Sequence, residues 1–334
     1  MELHQRIERA AARLGDQILH TPLLHSRVLS GAIEGQVYLK LESEQHTGSF
    51  KARGALNRLL CLEPDARDRG VITASSGNHA QGFARALEIA GCQGTVFMPV
   101  NASPAKIEAV RQYAAHIEFF GQGCLETELH ARQVAEERGL TWVSPYNDWE
   151  VMAGQGTLAV EITRDLPRFD CLLGCVGGGG MMGGAASWVK HHDPGIRVIG
   201  CLPANSPEMK LSVEAGQIIT IDDPMDTLSD GSAGGLEPGA VTFDVCRQVV
   251  DDYLLASEAQ IADGIRFMLD RHQKVIEGAA AVPLACLLNN PDRFRAQSVV
   301  IIICGANIAM DKLRAVLSGE YPGTERATQT PAES

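Results

Sequence analysis

Apolar runs of strand length alternate with amphipathic helical stretches along almost the whole chain, and this alternation limits the folds open to it. Residues 37–41, 70–73, 95–98, 117–120, 171–176, 197–201 and 298–304 read as strands. Between them, 105–115, 126–138 and 261–273 carry apolar positions at helical spacing. Strands that are apolar throughout, separated by helices, predict an α/β architecture with largely parallel sheets. Such sheets present ligands at the carboxyl ends of their strands. The glycine- and serine-rich loops fall there: Ala74-Ser75-Ser76-Gly77-Asn78-His79, Val176-Gly177-Gly178-Gly179-Gly180-Met181 and Cys304-Gly305-Ala306-Asn307.

The tetraglycine loop lies between an apolar run and a stretch that continues as a helix through Ala185, Ala186 and Trp188. A strand, a glycine turn and a helix together aim free N–H groups and a helix dipole at an anion. The loop formally contains a dinucleotide fingerprint from Gly178 to Gly183. That fingerprint also requires an acid at the end of the next strand, and here the strand ends in Cys201-Leu202-Pro203. No Gly-Lys-Ser/Thr follows either, so the loop reads as a cradle for a single phosphate. Upstream, Lys51 sits in Thr47-Gly48-Ser49-Phe50-Lys51-Ala52-Arg53-Gly54, just after an apolar strand. An amine for a Schiff base and a cradle for a phosphate are the two groups needed to hold pyridoxal phosphate.

The loop from Ser75 to His79 precedes a helical pattern over 80–90, and Ser and Asn are good capping residues. A cap needs one such residue. The surplus predicts a grip on a substrate carboxylate, with Asn78 free to bond a phenolic oxygen. Cys304 ends the very apolar run 299–303. Facing a pyridine nitrogen, its thiol would be a weak donor, which favours loss of a β-leaving group over transamination.

These residues give the chain a resemblance to the threonine/serine dehydratase and serine racemase family, within the tryptophan-synthase-β-like group (fold type II) of pyridoxal-phosphate enzymes. The likeness runs from Thr21-Pro22-Leu23 through Ser49-Phe50-Lys51, Ser75 to His79, Ala153-Gly154-Gln155-Gly156-Thr157, Val176 to Met181, Asp230-Gly231 and Glu277-Gly278-Ala279 to Cys304-Gly305-Ala306-Asn307.

The resemblance implies two three-layer α/β/α domains with the cofactor in the cleft. Residues 1–62 and 147–320 would form the large domain and 63–146 a smaller, inserted one. It implies that Lys51 carries the cofactor and acts as the base at Cα, that Phe50 packs on the ring, and that Gly177, Gly178, Gly179, Gly180 and Met181 hold the phosphate. Asn78 would meet the ring hydroxyl, Cys304 the ring nitrogen, and Glu277 would stand near the ring. Ser75, Ser76, Gly77 and His79 would surround the substrate carboxylate, Ser76 matching the opposite-face base of the racemases. The activity implied is conversion of a β-hydroxy-α-amino acid, such as L-threonine or L-serine, to a 2-oxo acid and ammonia. A serine or related racemase, or a dehydratase of a hydroxyectoine-derived or hydroxyaspartate-like amino acid, fits the same motifs. The family implies a homodimer or homotetramer.

The chain departs from the family pattern in two places. Leu202 replaces the acid that usually serves a cation near the phosphate, leaving Glu208 as the remaining metal candidate. Ser144-Pro145-Tyr146-Asn147-Asp148 stands where biosynthetic enzymes and racemases carry a His-Pro run, and is closer to catabolic and ectoine-utilisation dehydratases. The chain also stops without the regulatory C-terminal domain of the biosynthetic enzymes, so isoleucine feedback is not expected.

Composition narrows the class further. A net charge of −12 argues against a general nucleic-acid surface. The start lacks an apolar leader and no run reaches membrane-spanning length, so no membrane partner is expected. Nine cysteines without paired spacing fit reduced thiols in the cytoplasm. Cys171 and Cys175 lie in an apolar run without further ligands, against a zinc site. The polar tail 321–334 is expected to be disordered.

Overall fold

The computed structural model describes residues 1–322 except Ala114 and Asp223. Beyond its first two residues, the tail expected to be disordered lies outside the described residues.

Two sheets carry the fold. The larger has six strands: β1 (Leu23–His25), β2 (Gln36–Leu41), β7 (Cys171–Cys175), β8 (Arg197–Pro203), β9 (Asp252–Ala256) and β10 (Ser298–Ile303). Their spatial order is β1-β2-β10-β7-β8-β9, parallel throughout except for β1 on β2. The smaller sheet contains β3 (Val71–Ala74), β4 (Gly94–Met98), β5 (His116–Phe119) and β6 (Thr141–Trp142), all parallel, in the order β5-β4-β3-β6. Strands β7 and β10 are buried almost end to end, because helices cover both faces of a parallel sheet.

The helix Lys51–Leu60 belongs to both halves. Ala52, Ala55, Leu56 and Leu59 enter the apolar core built around the small sheet. Gly54, on another face, meets the helix Trp149–Asp165 so closely that a Cβ there would lie 2.4 Å from Gln155 Nε2. Behind it lies a buried ionic cluster. Arg53 donates to Glu42 at 2.7 Å and to Glu161 at 2.6 Å, and Lys40 Nζ donates to Glu161 at 2.5 Å and to the Thr21 carbonyl at 2.7 Å. Two cations facing two carboxylates leave the cluster neutral, as burial requires.

The predicted strands correspond to observed ones with shifts of a residue or so at their ends. β1, β6 and β9 escaped the reading. β1 and β6 span three and two residues, and β9 is half-exposed along most of its length.

Candidate active site

Backbone pairing brings Lys51 to Cys304. Ser49 and Gly305 form an antiparallel bridge, and Phe50 N donates to the Cys304 carbonyl at 3.1 Å. The Glu277 N–H in turn donates to the Gly305 carbonyl at 3.1 Å. Three distant segments therefore meet at the carboxyl end of β10. Gly305 is needed for this: a Cβ there would lie 2.5 Å from Glu277 Oε1.

A cavity of about 590 Å³ opens between the two sheets. Its wall includes Phe50 and Lys51, Ser75 to His79, Gly177 to Met181, Glu277 and Cys304, bringing together residues from five separated stretches. Glu208 and Leu202 lie off it. Leu202 is buried in β8, and Glu208 is buried with its carboxylate accepting from Ser206 Oγ at 2.6 Å. Among the described residues no group of three or more His, Cys, Asp or Glu is arranged to hold a metal ion.

Two helices start at the cavity with no side chain bonded to their first turn. The helix Asn78–Ala90 begins on Gly77 and the helix Gly180–His192 on Gly179. The expectation that a Ser or Asn side chain caps the first of these is corrected here. Ser75 Oγ accepts from Gly77 N at 3.2 Å, outside the helix, and Asn78 is the first helical residue. Uncapped first turns leave N–H donors and the positive dipole end for an anion.

The glycine loop has no spare room for side chains. A Cβ at Gly177 would meet the Ser232 carbonyl oxygen at 2.7 Å, and one at Gly178 the Tyr146 ring at 2.5 Å. Gly179 has φ +85°, a conformation that L-residues with side chains rarely adopt. Tyr146 roofs the loop while its hydroxyl accepts from Glu237 N at 3.0 Å. Neither Tyr146 nor Pro145 was given a role from sequence. The signal was the unusual Ser-Pro-Tyr wording, which carries no geometry by itself.

Lys51 is half-buried on the cavity wall, and its Nζ donates to the Pro145 carbonyl at 2.8 Å. Burial pushes its pKa down to about 8, against the opposing pull of Cys304 and Glu277. Burial likewise raises the Glu277 carboxyl to about 7, although Asn78 Nδ2 donates to its two oxygens at 2.8 and 2.9 Å. Cys304 Sγ lies 3.9 Å from Glu277 Oε1, and burial holds this thiol well above its usual range. His79 is buried with its Nε2 3.0 Å from Thr73 Oγ1, and burial drives the imidazole down to about 3, with Lys51 adding to the effect. A neutral ring facing a hydroxyl is a structural element of the wall. Across the cavity, Lys106 Nζ stands 3.7 Å from Asp230, which Lys312 also reaches at 3.1 Å.

A phosphate ester carrying an aldehyde on a polar aromatic ring suits this donor set. The site has a half-buried nucleophilic amine, two anion-directed helix starts, and amide and thiol groups beside them. Residues 14–305 match the family model described as pyridoxal-phosphate dependent enzyme. The chain belongs to that family.

Known members resemble it over nearly its full length. The L-threonine ammonia-lyase of Geobacter sulfurreducens is 39% identical over 311 residues, covering 93% of this chain and 77% of that one. The processed form of threonine deaminase isoform 2 from Solanum lycopersicum superposes with a TM-score of 0.89 at 32% identity, over 95% of this chain and 92% of that one. Maize serine racemase gives 0.87 at 29% identity, over 94% and 96%. The pyridoxal-phosphate dependent enzyme described here therefore has the fold type II architecture expected from its sequence.

Proposed function

We propose that this pyridoxal-phosphate dependent enzyme is a dehydratase that converts a β-hydroxy-α-amino acid, with L-threonine and L-serine as reference substrates, to a 2-oxo acid and ammonia. The observation that carries the reading is the Lys51 amine, its pKa held near 8, on the wall of a cavity that two uncapped helices also enter. The names of the relatives support it.

When bound, the cofactor supplies a conjugated electron sink that makes the substrate Cα proton acidic. Everything else falls to the chain. The N–H groups from Gly177 to Met181 would hold the phosphate, and Phe50 would pack on the ring. Asn78 would donate to the ring hydroxyl, while Cys304 would meet the ring nitrogen with a thiol rather than a carboxylate. Lys51 would hold the cofactor through its aldehyde carbon. As a neutral amine Lys51 would accept the proton at Cα, its low pKa letting it serve as a base near neutral pH. Ser75, Ser76, Gly77 and the backbone of His79 would surround the substrate carboxylate, with Ser76 on the face where a racemase would need its second base.

The division into a domain of 1–62 with 147–320 and an inserted domain of 63–146 belongs to this proposal, supported by the strands of the small sheet falling between 71 and 142. So do a cytoplasmic setting and a homodimeric or homotetrameric state. The first is supported by nine free cysteines. Sedimentation of the purified protein tests the second.

Lys51→Ala is expected to lose the visible cofactor band and at least about 10²-fold in turnover. A variant keeping both overturns the proposal. Assaying pyruvate and D-serine from L-serine in one incubation separates dehydratase from racemase.

A further inference from the structure

We infer that Asn307 and Glu277 are positioning residues that lock the Asn78 side-chain amide in one orientation, leaving one of its hydrogens free for the ring hydroxyl of the cofactor. This rests on the cofactor reading proposed above and adds a layer behind it.

The argument follows a chain of bonds. The oxygen and nitrogen of a side-chain amide are told apart by their partners. Asn307 faces the Thr47 carbonyl at 2.9 Å, and a carbonyl only accepts, so Asn307 must present Nδ2. The same Nδ2 lies 2.7 Å from Asn78, which must therefore answer with Oδ1. That turns Asn78 Nδ2 toward Glu277, where it meets both carboxylate oxygens at 2.8 and 2.9 Å. The Thr47 carbonyl can only accept, so that end alone gives the relay one consistent polarity, with Glu277 taking an Asn78 hydrogen at the other.

The Glu277 contact then decides how many hydrogens remain. Two oxygens of one carboxylate subtend only about 45° at that nitrogen, whereas the two amide hydrogens diverge by about 120°. One hydrogen is thus shared between both oxygens, and the other points away from Glu277. Asn78 is part of the cavity wall, so the cofactor can use it. The relay starts at Thr47, four residues before Lys51, and so ties the ring-hydroxyl contact to the segment that carries the amine.

The two residues differ in how they tolerate change. Asn307 is exposed on the cavity wall, and its variants are expected to fold. Glu277 is 6% exposed, so its variants need a folding control.

The test titrates cofactor-depleted protein with pyridoxal phosphate and reads the dissociation constant and the position of the visible band. Wild-type protein that gains no band overturns the underlying reading. With the wild-type band present, Asn307→Asp is expected to weaken binding by about tenfold or more and to shift the band. Its carboxylate accepts where the amide donated, and draws on the hydrogen that Asn78 keeps for the ring. Asn307→Ala, which only releases the lock, is expected to lose about threefold. Glu277→Gln keeps an acceptor for Asn78 and is expected to stay within about threefold of wild type, while Glu277→Ala falls by about tenfold or more. Unfolding midpoints check each variant, and if Glu277→Ala does not fold the Asn307 pair decides. An unchanged band and affinity in Asn307→Asp overturn the inference and leave the cofactor reading standing. Equal losses in Asn307→Ala and Asn307→Asp overturn it too, because they would report lost packing only.

Discussion

At the scale of single residues, the decisive quantity is the free energy of placing a cation where Lys51 sits. A half-buried ammonium with one carbonyl partner is poorly solvated, and its pKa moves down to about 8 as a result. The sign has a kinetic consequence. Only the neutral amine attacks an aldehyde, and its fraction grows as pH rises toward the folded-state value. The rate at which cofactor-free protein takes up pyridoxal phosphate should therefore climb by nearly tenfold per pH unit below about 8 and level off above it. Stopped-flow absorbance across pH 6.5–9.5 checks this. A profile still climbing steeply at the top of that range would show a lysine with its ordinary pKa. The residue types at the site were legible from sequence, because a lysine after an apolar strand and four consecutive glycines are rare local patterns. The bonds that orient them were not. Thr47, Asn307, Asn78 and Glu277 are hundreds of positions apart at the extremes, and no local pattern announces that they touch.

At the scale of elements, the glycine loop shows how packing and function use the same atoms. Each glycine of the four lets something close approach, and at Gly178 the three nearest atoms all belong to the ring of Tyr146. Gly178→Ala should displace the ring or the loop and weaken cofactor binding by about tenfold or more. Adding Tyr146→Ala should recover part of that loss, because it removes the group the new Cβ strikes. Dissociation constants for the single and double variants test the coupling, and simply additive losses would contradict it. Most strands could be read from the chain because β7 and β10 are apolar along their whole length. β9 could not: it begins with an acid, and Leu255 is exposed. The start of the helix at Asn78 was misread in its cause. Ser and Asn signalled a side-chain cap, but in the fold the first turn is left open toward the cavity.

At the scale of the whole molecule, the helix Lys51–Leu60 is the seam between the two sheets, and the neutral cluster of Lys40, Arg53, Glu42 and Glu161 anchors it from behind. Arg53 is 1% exposed, so its two carboxylate partners depend on it for charge balance. Arg53→Met should cost about 3–5 kcal/mol of stability by leaving buried carboxylates uncompensated. Urea denaturation measures this, and a loss below about 1 kcal/mol would mean the cluster is far wetter than its enclosure implies. None of it could be foreseen from the chain. Charged residues in sequence read as surface until tertiary structure supplies their partners, and these four come from β2, the turn after it and two helices far apart in order. The α/β class, by contrast, followed from the alternation of runs alone, since only covered parallel sheets need so many wholly apolar strands.

The central claim is that one amine, that of Lys51, holds the cofactor. Borohydride reduction of the cofactor-loaded protein, followed by digestion and peptide mass spectrometry, tests it most directly. The account predicts a phosphopyridoxyl label on Lys51 and on no other lysine. A label on a different lysine, or none on protein that carries the visible band, would contradict it.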